Sequence, residues 1–139
     1  MALVPQPDLD ALAAAARAAR ERAHAPYSHY RVGAALLDEH GRVHSGCNVE
    51  NAAYPQGLCA EAVALGALVT AGGTRVHAVV VAGSGADPVV PCGGCRQKLS
   101  EFAAADIPVI SVDDAAIRVR HTLGELLPFG FGPAHVRNA

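Results

Sequence analysis

The sequence predicts an α/β fold, a three-layer α/β/α sandwich built on a mixed five-stranded sheet. Three observations carry this expectation. Helical and extended patterns alternate along the 139 residues in the order α-β-β-α-β-α-β-β-α, which puts helices on both faces of a sheet. Two Val- and Ile-rich runs, residues 76–82 and 107–112, lack polar alternation and so need cover on both sides. Residues 30–37 and 42–47 flank the turn Asp38-Glu39-His40-Gly41 as a hairpin, which adds an antiparallel pair. Length and a hydrophobic content of 51% suit one domain over residues 1–139.

Each element has its own signal. Asp8 is the N-cap of an Ala-rich first helix, with Leu9, Leu12, Ala13, Ala16 and Ala23 on its apolar face and Pro26 as its stop. Arg17, Arg20, Glu21 and Arg22 read as its solvated face. After the hairpin, residues 48–57 read as a loop rich in Asn, Pro and Gly. Residues 59–71 read as a helix that is apolar all round, hence buried on more than one side, and stopped by Gly72-Gly73. The strand 76–82 follows, then a loop through Gly83, Gly85 and Pro88. A helix over 92–104, strands 107–112 and 117–121, and a short helix 123–127 stopped by Pro128 complete the chain.

Composition narrows the function. The net charge is −2, aromatics make up 4%, and Trp is absent. Neither a basic footprint for nucleic acid or anionic membrane nor a stacking stripe for single strands is present. The opening MALVPQPDLD has no basic region and no sustained apolar run, so no signal peptide is expected. No stretch reaches the roughly 18 apolar residues of a membrane span. The expectation is a cytoplasmic protein, in which four cysteines point to metal ligation or reactive thiols rather than disulfides.

Cys59, Cys92 and Cys95 are the sharpest feature. Cys92 and Cys95 form C-G-G-C at a helix start, and residues three apart share a helix face. Cys59 opens the earlier helix. Helix N-termini stabilise thiolates, which zinc prefers, and three protein ligands leave a fourth tetrahedral position for water. Glu61, two residues past Cys59, offers a carboxylate for proton transfer beside such a site. Other readings stay open at this level. Cys47 could complete a structural four-cysteine zinc site, or C-G-G-C could be a redox pair. Glu61 could serve the helix dipole alone. Asn48 and Asn51 could be turn formers and Glu50 a solvated acid, while Tyr30 and Phe131 could simply pack.

C-A-E followed by P-C-G-G-C resembles the zinc-dependent cytidine deaminase family, in the all-cysteine form of its small free-nucleoside members. Residues 25–37 (APYSHYRVGAALL), 46–54 (GCNVENAAY), 92–102 (CGGCRQKLSEF) and 125–132 (ELLPFGFG) resemble further family motifs in the right order. The resemblance implies a cytidine deaminase-like fold and one Zn²⁺ per chain on Cys59, Cys92 and Cys95. It implies Glu61 as the proton shuttle, Asn48 and Glu50 on the ribose hydroxyls, and the backbone at Ala60 against the base. It implies Tyr30, where the family often has Phe, flanking the base. Phe131 would enter a neighbour's site within a homotetramer with shared active sites.

One departure matters. The family often reads C-A-E-R, whereas here Ala62 follows Glu61. Three thiolates leave the metal site net negative, and Arg96, beside Cys95, is the nearest cation in sequence to offset that charge. The implied reaction is hydrolytic deamination of cytidine and deoxycytidine to uridine and deoxyuridine with release of ammonia, as in pyrimidine salvage. A deaminase of a cytosine-bearing antibiotic nucleoside and a non-catalytic zinc or redox module are the alternatives.

Overall fold

The computed structural model describes residues 7–139; residues 1–6, which carry most of the signal-peptide reading, lie outside the described residues. The elements are α1 (Leu9–Arg20), β1 (Gly33–Asp38), β2 (Val43–Cys47), a 3₁₀ turn (Tyr54–Gln56), α2 (Ala60–Thr70), β3 (Val76–Ala82), α3 (Gly93–Ser100), β4 (Pro108–Val112), β5 (Ile117–Thr122), α4 (Leu123–Leu126) and α5 (Pro133–Arg137). The strand order is β2-β1-β3-β4-β5. Only the β3–β4 pair is parallel, so the sheet is mixed as expected.

β3 lies at the centre and is buried along nearly its whole length. One face of the sheet packs Ala35, Val80 and Ile110 against Leu12 and Ala16 of α1. The other packs Leu36, Val79 and Val109 with Leu68 of α2 and Leu99 of α3. Two glycines set how closely the helices dock. A Cβ on Gly33 would lie 1.9 Å from the Ala16 carbonyl oxygen, and one on Gly46 would lie 2.5 Å from the Ala64 nitrogen. α1 and α2 therefore rest directly on strand backbone, and that fixes where the N-terminus of α2, with Cys59 as its cap, emerges.

Several expectations need correction. α1 ends at Arg20, well before Pro26. The backbone beyond it is taken by a tertiary ladder in which His24 N–H donates to Asn48 and Glu50 N–H donates to His24, so Ala23 lies off the helix. Arg20 is buried rather than solvated, and it donates to the Gly83 carbonyl at 2.8 Å. β1 begins at Gly33 because the Asn48 side chain occupies the preceding backbone, accepting from Val32 N–H at 2.9 Å and donating to the Tyr30 carbonyl at 2.8 Å. α3 ends at Ser100, and the Phe102 carbonyl then accepts from Val76 N–H at the start of β3. α2 buries one face only, through Ala60, Glu61, Ala64, Leu65 and Leu68, and leaves Ala67 and Val69 exposed. The 3₁₀ turn and α5 were too short to show a period; each has Pro at its start.

The β1–β2 turn is built around Asp38, whose side chain is fully buried. Its Oδ1 accepts from the backbone N–H of His40 and Arg42, and its Oδ2 faces Arg42 Nε at 2.7 Å and His44 Nε2 at 2.8 Å. Burial pushes this carboxyl up, but the His44, Arg42 and His40 hydrogen bonds outweigh it and hold it well below the usual carboxylate range. A depressed pKa stabilises the fold above the unfolded value and is lost as pH falls towards the folded one. Asp38→Asn, which turns an NH₂ towards donors, is expected to cost about 3 kcal/mol at neutral pH. Denaturant midpoints should show this gap narrowing as pH drops below about 4; an unchanged midpoint at pH 7 would defeat the assignment.

Candidate metal centre and its cleft

Cys59 caps the N-terminus of α2, Cys92 caps that of α3, and Cys95 sits in the first turn of α3. The three Sγ atoms all lie within 4.8 Å of one another, with Cys59 and Cys92 3.7 Å apart. They form the sole such cluster of metal-ligating groups among the described residues, and Cys47, at the end of β2, is not part of it. Cys95 is buried, whereas Cys59 and Cys92 open to the cleft.

The electrostatics favour a cation here. Burial pushes the Cys59 and Cys95 thiols up, and neighbouring negative charge pushes them further. Burial works against Cys92 too, but the Cys95 backbone N–H and the two neighbouring thiols outweigh it and hold Cys92 below its ordinary value. Three sulfurs this close become thiolates together only around a cation, and soft sulfur donors suit Zn²⁺. The donor set therefore fits zinc. A dithiol redox pair gives no role to the third sulfur.

Glu61 is 4% exposed, inside the first turn of α2. Burial raises its carboxyl above the usual range, although its own backbone N–H and the Cys95 thiol partly oppose the shift. A neighbouring cleft of about 430 Å³ is lined by Tyr30, Asn48, Glu50, Cys59, Ala60, Glu61 and Cys92. The fold thus gathers most of the sequence-derived candidates in one place. Glu50 is pre-set there, accepting from the Ser28 hydroxyl and from the backbone N–H of Tyr27 and Ser28. The Ser28 contact, above all, holds its carboxyl below the usual range.

Two candidates lie elsewhere. Phe131 is 60% exposed and borders a separate groove of about 410 Å³ with Leu127 and Phe129. The Arg96 guanidinium donates to the Pro91 carbonyl at 2.7 Å and the Leu126 carbonyl at 2.9 Å, and no sulfur is among its partners. Val89 and Val90 also line the cleft. Sequence reading missed them, because an apolar pair in a loop carries no chemical signature; their place just before Pro91-Cys92 was the available signal.

Comparison with known proteins agrees with this geometry. Residues 6–111 match the family model for the cytidine and deoxycytidylate deaminase zinc-binding region. The chain is 40% identical to the cytidine deaminase of Sporosarcina psychrophila over 89% of its own length and 91% of that protein. It superposes on the crystal structure of cytidine deaminase from Burkholderia pseudomallei with a TM-score of 0.81 and 42% identity, covering 88% of this chain and 98% of that one. The cytidine deaminase structure from Mycobacterium tuberculosis gives a TM-score of 0.77 at 39% identity, over 90% of this chain and 98% of that one. No helix among the described residues is long and apolar enough to cross a membrane. The chain belongs to the zinc-binding cytidine and deoxycytidylate deaminase family.

Proposed function

We propose that this protein is a cytidine deaminase that hydrolyses cytidine and deoxycytidine to the uridine products, with the whole chain, 1–139, acting as one domain. The observation that carries the reading is one cleft lined by Cys59 and Cys92 of the three-thiol cluster, the buried Glu61, Asn48 and Glu50. Zinc on Cys59, Cys92 and Cys95 supplies Lewis-acid activation of water when bound.

Glu61 carries the protons. Its raised pKa suits a group that must both accept and return a proton. It takes one from the water that attacks C4 of the base and gives it to N3. It then moves the remaining hydroxyl proton to the C4 amine. The C4–N bond breaks, ammonia leaves, and C4 keeps the oxygen as a carbonyl. The Ala60 backbone stands beside the base and Tyr30 flanks it. Asn48 and Glu50, fixed by their backbone hydrogen bonds, retain acceptor capacity for ribose hydroxyls. The charge on Glu50 disfavours a phosphate, so nucleosides are preferred to nucleotides. Asn48 and Glu50 in one cleft favour an ordinary ribose over a modified antibiotic sugar. Arg96, which holds the Pro91 carbonyl next to Cys92, remains the nearest cation in sequence to offset thiolate charge, acting through space rather than by contact with a sulfur.

The same reading includes a homotetramer with shared active sites and Phe131 reaching a neighbour's cleft. Its support is apolar surface that the chain leaves uncovered: Val69 on α2, Leu58, Phe129 and Phe131. A cytoplasmic location fits thiols that must stay reduced to hold metal. The test is direct. Zinc-loaded protein should consume cytidine, followed by ultraviolet absorbance, and should spare cytidine monophosphate. A chelator should stop the reaction and zinc should restore it, while sedimentation of the same preparation reports four chains. Cytidine left unchanged by zinc-loaded protein would defeat the reading.

A further inference from the structure

We infer that Arg118 and Arg20 are positioning residues for deamination, clamping from behind the loop that forms the outer wall of the cleft. This rests on the deaminase reading above. Residues 83–91 join β3 to α3 without a strand or helix of their own, and the Gly83 and Ala86 carbonyls take partners from outside the segment. Two guanidinium groups supply them. Arg20 Nη1 donates to the Gly83 carbonyl at 2.8 Å. Arg118 Nη2 donates to the Ala86 carbonyl at 2.8 Å, and its Nη1 makes a longer contact of 3.5 Å to the Gly85 carbonyl.

Both arginines are anchored on the β4–β5 turn. Arg118 Nη1 donates to Asp113 Oδ2 at 3.2 Å, and Arg20 Nη2 pairs with Asp114. The turn is itself fixed, since Asp113 accepts from the backbone N–H of Ala115 and Ala116, and its carbonyl accepts from Arg17 Nε at 2.7 Å. None of these groups borders the cleft.

The clamped segment reaches the cleft through Val89. A Cβ on Gly83 would fall 2.5 Å from Val89 Cγ1 and 3.5 Å from the Tyr30 hydroxyl oxygen. Val89 therefore folds back onto bare Gly83 backbone, beside the ring proposed to flank the base. Val89 and Val90 then face the cleft. The far end of the loop is held separately, by Arg96 on the Pro91 carbonyl. Releasing Arg118 should thus loosen the wall without disturbing Cys92. That separation predicts an effect on substrate binding rather than on metal or chemistry.

The test compares Arg118→Ala and Arg118→Lys with wild type as zinc-loaded full-length protein. Arg118→Ala should raise KM for cytidine about tenfold, as expected for losing a charged, two-pronged hydrogen-bond donor. Its kcat should stay within about twofold, and its zinc content should be unchanged. Lys, which keeps the charge and one reach to Ala86, should recover much of the KM. Hydrogen exchange should quicken over residues 84–90 and stay at wild-type rates in α2. Faster loop exchange with wild-type KM would overturn the inference, as would a joint fall of kcat and zinc content. So would a lysine variant no better than alanine. If wild type itself leaves cytidine unchanged, the deaminase reading falls and takes the inference with it. An unaltered KM in Arg118→Ala beside an active wild type overturns the inference alone and leaves that reading standing.

Discussion

Glu61→Gln is expected to lower kcat for cytidine by at least about 10²–10⁴-fold, the usual range for a general acid–base group, with the fold and zinc content kept. The carboxyl is 4% exposed and its pKa is raised by burial. Glutamine fills the same space, stays neutral, and can still accept from the residue's own backbone N–H. What it lacks is the ability to take a proton from water and return it twice. Because one side chain serves more than one transfer, the loss can exceed the single-transfer range. KM should change little, since the proposed ribose contacts lie on Asn48 and Glu50 rather than on Glu61. Initial rates by absorbance, with zinc measured on the same sample, check this. Near-normal turnover in a zinc-loaded Glu61→Gln protein would end the proposed mechanism.

Why Glu61 was legible in the sequence while other groups were not comes down to range. Cys59 with Glu61, and Cys92 with Cys95, each span a helix cap and its first turn, where local spacing sets proximity. The meeting of the two helix starts is set by the strand between them and was legible through the family resemblance. β3 was legible because a Val run without polar alternation has one stable destination, the sheet centre. Arg20 shows the opposite case. Its i+4 spacing from Ala16 puts it on the buried stripe of α1, yet its charge pointed to solvent. What permits its burial is a pair of partners far along the chain, Gly83 and Asp114. The end of α1 was hidden for the same reason, because the His24 ladder to Asn48 and Glu50 is a tertiary contact. The partial exposure of α2 differs again. Its sequence is apolar all round, but this chain alone covers one side, and the uncovered residues are those the proposed assembly would use.

Cys95→Ser and Cys47→Ser should separate cleanly. Cys95 is 1% exposed and belongs to the three-sulfur cluster. A serine hydroxyl stays protonated and is a hard donor, so it replaces a thiolate poorly on zinc. Losing a direct ligand should weaken zinc binding by more than the roughly 10–100-fold seen for outer partners of metal ligands. Cytidine turnover should fall to the background of chelated protein. Thermal stability should fall with it, since zinc that binds only the folded chain adds to stability by mass action. Cys47 sits half-buried at the end of β2, paired in register with Gly33 and outside the cluster. Its substitution should leave zinc content and turnover near wild type. Metal analysis and cytidine rates on both variants decide between a three-ligand and a four-ligand site. Zinc lost from Cys47→Ser would favour a closed four-cysteine centre, and a closed centre has no position left for the water that the reaction needs.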